Sequence, residues 1–385
     1  MKRNVIIEKN KDFSVKFSNR LMQLLITNAE QRENIALSPS RLQTILIILA
    51  NWAQPSIQKQ ILEVFGIDVM DINEANILFN KGRLTITSFW EEEDDDYDPH
   101  IEQTLFLWLK KSFSFNERAI SVLSDIYNVI LRRVDFQNPT TKTTIDKTIE
   151  QATHGLYKRM ESKLDPLTQI LITDVLYFKA KWETQFDSEV TKDRIFYGTY
   201  GKTKIPMMKH RGFMPYCETP TCQIIQLHYQ CSCKEERSFS MRIYLPKKGC
   251  THLQILKEVC NNDYSLNLKE QDVKLTLPRF SVTSNVDMHK LLYHIGLGDI
   301  YETTDIIPKL VKNIKLEDFL QQTKIKVNED GSEAVALTIL CATGCLPPPE
   351  SENTILMKVN HPFIFEIAED FSNTILFTGL VNNIE

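Results

Sequence analysis

Val327-Asn328-Glu329-Asp330-Gly331-Ser332-Glu333-Ala334-Val335-Ala336-Leu337-Thr338-Ile339-Leu340 is the stretch from which the architecture can be read. After Gly331, which has the backbone freedom a hinge needs, the residues alternate with period two. One set, Ser332, Ala334, Ala336 and Thr338, is small, uncharged and easily buried beneath a sheet. The other, Glu333, Val335, Leu337 and Ile339, would face outward. A slip of one residue would drive Glu333 inward, and the cost of burying an unpaired carboxylate forbids that register. Each residue joining a sheet here gains ladder hydrogen bonds worth about 1 kcal/mol net, so roughly ten residues gain on the order of 10 kcal/mol before entropy is counted. The same pattern also suits a β-prone surface loop that never enters a sheet.

Away from this run, the first half of the chain reads as helical. Residues 12–29 form an expected amphipathic helix, with Phe13, Phe17, Leu21, Leu24, Leu25 and Asn28 at 3–4 spacing. A second, at 40–50, follows Ser38-Pro39-Ser40, where a hydroxyl can cap and a proline can open the first turn. Helices are also expected at 57–66, 72–89 and 140–160. The last carries Ile145, Ile149, Ala152 and Leu156 in one stripe behind Asn138-Pro139-Thr140. Strands are expected at 102–109, 169–178, 239–245, 272–277, 323–328, 362–368 and 374–381. Helices first, strands later and no βαβ rhythm give an α+β class. No linker or repeat divides the 385 residues, so one domain, 1–385, is the simplest organisation.

Composition bounds the function. A hydrophobic share of 42% with 25% charged residues is that of a globular protein and argues against disorder. The net charge of −5 offers no field for nucleic acid or an anionic membrane surface. No run approaches the roughly 18 apolar residues of a spanning helix. Glu91 to Asp96, with Asp98, reads as a solvated loop or as a docking site for a basic partner. Met1 to Lys9 show no apolar signal-peptide core and no Asn-x-Ser/Thr acceptor occurs, which favours the cytoplasm or secretion without a cleaved signal. In a reducing compartment the eight cysteines are expected as free thiols. Cys222, His228, Cys231 and Cys233 make a conceivable zinc set, but Cys-x-Cys lacks the usual spacer and the other histidines show no ligand pairing. No metal or other cofactor is therefore expected. Gly-x-Ser-x-Gly, His-Glu-x-x-His and Gly-x-Gly-x-x-Gly are absent, and Gly201-Lys202-Thr203 lacks the earlier glycine of a phosphate loop, where Phe196 stands. An enzyme reading is left without support.

Four segments, in this order, resemble the serpin family. They are Asn34-Ile35-Ala36-Leu37-Ser38-Pro39; Leu176-Tyr177-Phe178-Lys179-Ala180-Lys181-Trp182 with Phe186, Thr191, Phe196 and Pro206-Met207-Met208; Leu277-Pro278-Arg279-Phe280 with Ile295-Gly296-Leu297-Gly298-Asp299-Ile300-Tyr301; and Val327 to Ala334 with His361-Pro362-Phe363-Ile364-Phe365 and Leu376-Phe377-Thr378-Gly379. The resemblance implies three β-sheets, eight or nine helices and an exposed reactive-centre loop, with hinge and loop at 329–361. It also implies an inhibitor rather than an enzyme. A target protease cleaves the loop and forms an acyl-enzyme, and the loop then inserts as a new central strand of the largest sheet, distorting the protease. In the family the small set enters the interior, so Glu329, Gly331, Ser332, Ala334, Ala336 and Thr338 are the expected hinge residues. Some members do not inhibit, and a chaperone, carrier or storage role is the alternative.

The family's usual distance from the hinge glutamate puts the reactive bond at Cys345–Leu346, with Gly344–Cys345 and Leu346–Pro347 open. Pro347-Pro348-Pro349 favours an extended conformation that would project the bond from the body. No Lys or Arg occurs from Ala334 to Met357, and a trypsin-like protease needs a cation for its pocket. An elastase-like, chymotrypsin-like or cysteine protease is therefore the expected partner. Heparin is not an expected partner, since 72–89 offers only Lys81 and Arg83 before the acidic block, and a monomer is expected. The resemblance also assigns Trp182 to the breach of the large sheet and a polar shutter cluster beneath its centre to Ser38, Asp174 and Gln321. Here Asp174 replaces an Asn of the family and Arg41 replaces a small residue. Two lone buried charges would each be costly, so Arg41 and Asp174 are expected to pair, unless Arg41 points to solvent and backbone amides bond Asp174.

Overall fold

The computed structural model describes residues 15–27, 33–65, 72–73, 76, 98–112, 116–118, 120–121, 127, 129–155, 164–232, 238–261, 267–303, 305–311, 320–332 and 354–385. Helix α1 (15–27) is followed by α2 (Pro39–Trp52) and α3 (Pro55–Val64). α2 is buried on nearly every side, because Leu42, Ile45, Leu46, Ile47, Ile48 and Leu49 leave it no polar face. Pro39 does open its first turn, but the Ser38 hydroxyl does not cap it. That hydroxyl donates to the Leu376 carbonyl at 2.7 Å instead. Helix α4 (Thr140–Ala152) stops eight residues short of the expected 160, because His154 and Gly155 take φ of 49° and 80° and turn the chain left-handed. Helix α5 (His252–Asn261) was not expected, and most of the 72–89 segment lies outside the described residues, as do Glu91 to Asp96.

Six strands form the large sheet: β2 (His100–Lys110), β3 (Val129–Val134), β4 (Ile170–Lys181), β10 (Phe280–Asp287), β11 (Leu320–Val327) and the two-residue β12 (Gly331–Ser332). Their order is β10-β11-β12-β4-β2-β3. A second sheet holds β1 (Ile35–Leu37), β5 (Lys192–Gly198), β6 (Gly201–Glu218), β7 (Cys222–His228) and β8 (Phe239–Pro246). It is completed by β9 (Lys269–Pro278), β13 (Ile355–Lys358), β14 (Phe363–Glu369) and β15 (Thr374–Val381). The long β6 pairs with β5 at its start, β9 along its middle and β7 at its end. Two of the three expected sheets thus run on as one hydrogen-bonded surface. Between the sheets lies a core that includes Phe178, Trp182, Tyr229, Met241, Phe365 and Phe377. Each such side chain contributes about 1.5–3 kcal/mol on full burial. On the opposite face of the large sheet, α4 packs Ile145 and Ile149 over Phe106 and Trp108.

Candidate functional site

The expected hinge begins where β11 turns into β12. Asn328 Oδ1 accepts from the backbone N–H groups of Asp330 and Gly331, both at 3.1 Å, and Asn328 N donates to the Gly331 carbonyl at 3.0 Å. β12 runs antiparallel to both neighbours, with Ser332 opposite Val327 and opposite Ala180. β4 and β11 are therefore parallel to each other, and β12 is a short wedge at one end of the space between them. Among the described residues no ladder joins β4 directly to β11. A side chain at Gly331 would place its Cβ 1.9 Å from the Ala180 carbonyl oxygen, while its φ lies outside the left-handed region. Close approach to β4, rather than the expected backbone freedom, is what requires glycine there.

Side-chain contacts hold this wedge. Ser332 is buried, and its hydroxyl meets the Tyr229 hydroxyl at 2.6 Å. Burial pushes the Tyr229 phenol far above its ordinary pKa, so it stays neutral. The Trp182 ring stacks on Tyr229, with centroids 4.6 Å apart, and its Nε1 donates to the Asn328 carbonyl at 2.9 Å. Glu329 accepts from Arg279 Nε at 2.6 and 2.7 Å and from Thr191 Oγ1 at 2.7 Å. Burial works to raise the Glu329 pKa, but these donors outweigh it and hold the carboxyl below its usual range. The family resemblance singles out Trp182 and Glu329. Tyr229 and Arg279 were not assigned a role, because only folding brings them to the turn.

Further along the same space, the first turn of α2 touches both edges. Gln321 of β11 accepts from Ser38 N at 2.8 Å and donates to the Ser38 carbonyl at 3.1 Å. Arg41 Nε donates to both oxygens of Asp174 on β4 at 2.9 Å, Nη2 donates to Asp174 Oδ1, and Nη1 donates to Gln103 Oε1 of β2 at 2.7 Å. Arg41 and Asp174 are only 4% and 7% exposed, so the guanidinium does not point to solvent. The expected single cluster is thus two sets, Ser38–Gln321 and Arg41–Asp174–Gln103, with no hydrogen bond between them among the described residues. A small cavity lined by Ser38, Arg41, Asp174, Gln321 and Thr323 marks the space, and Thr153 at the end of α4 overhangs it.

Ala334, Ala336, Thr338, Cys345 and Leu346 lie outside the described residues. The conceivable zinc set does not assemble, because Cys222 and His228 stand at opposite ends of β7, about 20 Å apart at strand rise. Two histidines do share a ligand cluster, contrary to the expectation from spacing. His100, Glu102 and His154 offer ligand atoms within 4.8 Å of one another, a pairing that sequence spacing hides because α4 and its approach separate the two histidines.

A family model described as Serpin (serine protease inhibitor) matches residues 9–384. The chain is 31% identical over 287 residues to an uncharacterized serpin-like protein of Thermococcus kodakarensis, a match spanning 72% of this chain and 65% of that one. It is 27% identical to human neuroserpin over 97% of this chain and 90% of that one. Among solved structures, Arabidopsis AtSerpin1 in its native stressed conformation superposes with a TM-score of 0.82, at 22% identity and 98% coverage of both chains. Human thyroxine-binding globulin in complex with thyroxine gives a TM-score of 0.81 at 20% identity, covering 98% of this chain and 99% of that one.

Proposed function

The chain belongs to the serpin family, whose members are in general protease inhibitors and not enzymes, and from that premise we propose that it is a suicide substrate for a serine or cysteine protease. The observation that carries this reading is the antiparallel wedge β12 between the parallel strands β4 and β11. Each step forward from Ser332 is one step back along both neighbours. Ala334 would then fall between Ile325 and Phe178, Ala336 between Thr323 and Leu176, and Thr338 between Gln321 and Asp174. These neighbours share the face of Ser332, so the small set would enter the interior in the register the hinge already holds. The protease's serine or cysteine attacks the carbonyl of Cys345, the bond to Leu346 breaks, and the acyl-enzyme is carried off as the loop inserts before water can release it.

The absence of Lys and Arg from Ala334 to Met357 favours an elastase-like, chymotrypsin-like or cysteine protease over a trypsin-like one. Thiols at Cys217, Cys222, Cys231 and Cys250, none of them in a disulfide, suit a reducing compartment, and a cytoplasmic monomer completes the proposal. Incubation with an elastase-like and a cathepsin-like protease should give an SDS-stable adduct at the mass of one protease plus the chain cleaved after residue 345. Quantitative cleavage with no adduct from any protease class would instead support a carrier or storage role.

A further inference from the structure

On the face of the large sheet that α4 covers, His100 and Glu102 stand two residues apart on β2, so both side chains leave the same side. His154 reaches them from the end of α4. Its left-handed φ of 49°, followed by Gly155 at 80°, turns the chain back toward the sheet just after the helix stops. The Nε2 atoms of both imidazoles converge on one oxygen, Glu102 Oε1, at 2.5 Å from His100 and 2.9 Å from His154. Tyr177 of β4, directly across from Glu102 in the ladder, braces both rings at centroid distances of 5.6 Å to His100 and 4.5 Å to His154. The side chains are 42%, 37% and 47% exposed, so solvent has access.

We propose that His100, Glu102 and His154 bind a divalent transition cation of the zinc class, with water in the fourth position, and that the ion ties α4 to the large sheet. Two neutral imidazoles and one carboxylate are a ligand set that such ions take with an open site. A tetrahedral zinc with bonds near 2.0–2.1 Å needs ligand atoms about 3.3 Å apart; the two N···O spacings of 2.5 and 2.9 Å must open by less than about 1 Å, and all three ligand atoms already lie within 4.8 Å of one another. Glu102 supplies the counter-charge. A carboxylate with an ordinary pKa of about 4.3 is ionised at neutral pH. The proton count is simple: the ion replaces the two N–H donors that now satisfy one oxygen, and any imidazole proton it displaces goes to water.

The position of the site gives it a consequence. Thr153, next to His154, overhangs the space between β4 and β11 that Asp174, Tyr177, Gln321, Thr323 and Lys324 also line. A strand entering that space passes beneath the end of α4. An ion joining His154 to β2 holds that roof down and slows insertion, a regulatory effect that rests on the proposed inhibitory function. Binding itself does not rest on it.

Cobalt(II) titration of the chelator-treated full chain separates the two. The expected result is one equivalent bound, with the visible ligand-field bands of a nitrogen–oxygen site and displacement by zinc. His154→Asn keeps a residue that tolerates left-handed φ and should weaken binding roughly 10-fold or more, as should Glu102→Gln, with melting curves confirming both fold. Bands from thiolate-to-cobalt charge transfer, binding unchanged in both variants, or no saturable binding would overturn the site. The rate of loop insertion after nicking, followed by intrinsic fluorescence with zinc or with chelator, tests the brake. It should fall several-fold with zinc in the parent chain and not in His154→Asn. Equal rates with the ion bound would overturn the brake and leave the site standing, whereas no insertion under any condition would overturn the inhibitory reading itself.

Discussion

Removing the carboxylate of Asp174 is the sharpest single test of how α2 holds the large sheet. In the native chain Arg41 spends three of its N–H contacts on Asp174 and one on Gln103. Asp174→Asn leaves a guanidinium that is 4% exposed with neutral partners only. Breaking a buried pair on one side costs about 3–5 kcal/mol, because the remaining charge stays uncompensated. Unfolding entropy of about 2.1 cal/mol/K per residue gives roughly 0.8 kcal/mol/K for 385 residues, so the loss translates to about 4–6 °C in Tm. Arg41→Ser should cost a similar amount by orphaning the carboxylate. The double variant, Arg41→Ser with Asp174→Asn, has no charge left to strand and should recover most of the loss. Differential scanning calorimetry of the four proteins at pH 7 closes the cycle. Single variants within about 1 °C of the parent, or a double variant whose loss equals the sum of the two, would refute the buried-pair argument.

Four further outcomes follow from the same geometry. Nicking the loop with a non-target protease should raise Tm, since the inserted segment completes the large sheet; an unchanged melting curve would mark a loop that does not insert. If the chain inhibits as proposed, Ala334→Arg should make it a substrate instead, because the continued register would seat a cation between Ile325 and Phe178, at a cost of several kcal/mol; undiminished adduct yield would reassign the facing. Gly331→Ala should speed proteolysis of the hinge, as its Cβ would sit 1.9 Å from the Ala180 oxygen; unchanged digestion rates would mean β12 seats differently. Glu329 has a depressed pKa, so its contribution is present above the unfolded value of about 4.3 and is lost as pH falls through the folded one. Glu329→Gln should therefore melt lower than the parent at pH 7, with the gap closing below pH 4, and a gap independent of pH would rule out the ionised pairing with Arg279.

The residues that told most at the sequence level were those whose chemistry is local or cumulative. The period-two small set after Gly331, the apolar run of α2 and the spaced family segments all survive being read along a line. β10 shows where that reading weakens: Phe280, Val282, Ser284 and Val286 are buried alternately, but an inward serine blurs the apolar alternation and the strand was missed. Leu156 continues the apolar stripe beyond the end of α4, whereas the left-handed backbone at His154 and Gly155 ends the helix.

What the sequence by itself determined is the family and the α+β class; it also raised a hinge pattern after Gly331 and a pairing of Arg41 with Asp174 as expectations, the pairing resting on the cost of an unpaired buried charge and leaving a solvent-facing Arg41 as the alternative. What only the tertiary structure decided is which distant groups share a neighbourhood. Tyr229 under Ser332, Arg279 on Glu329, Gln103 beside Arg41, and His154 against His100 and Glu102 are joined by strand register and helix docking over separations that no local spacing encodes. The role of Gly331 also changed there. A missing side chain reads as flexibility in a sequence, but against the Ala180 carbonyl it is the only residue that fits.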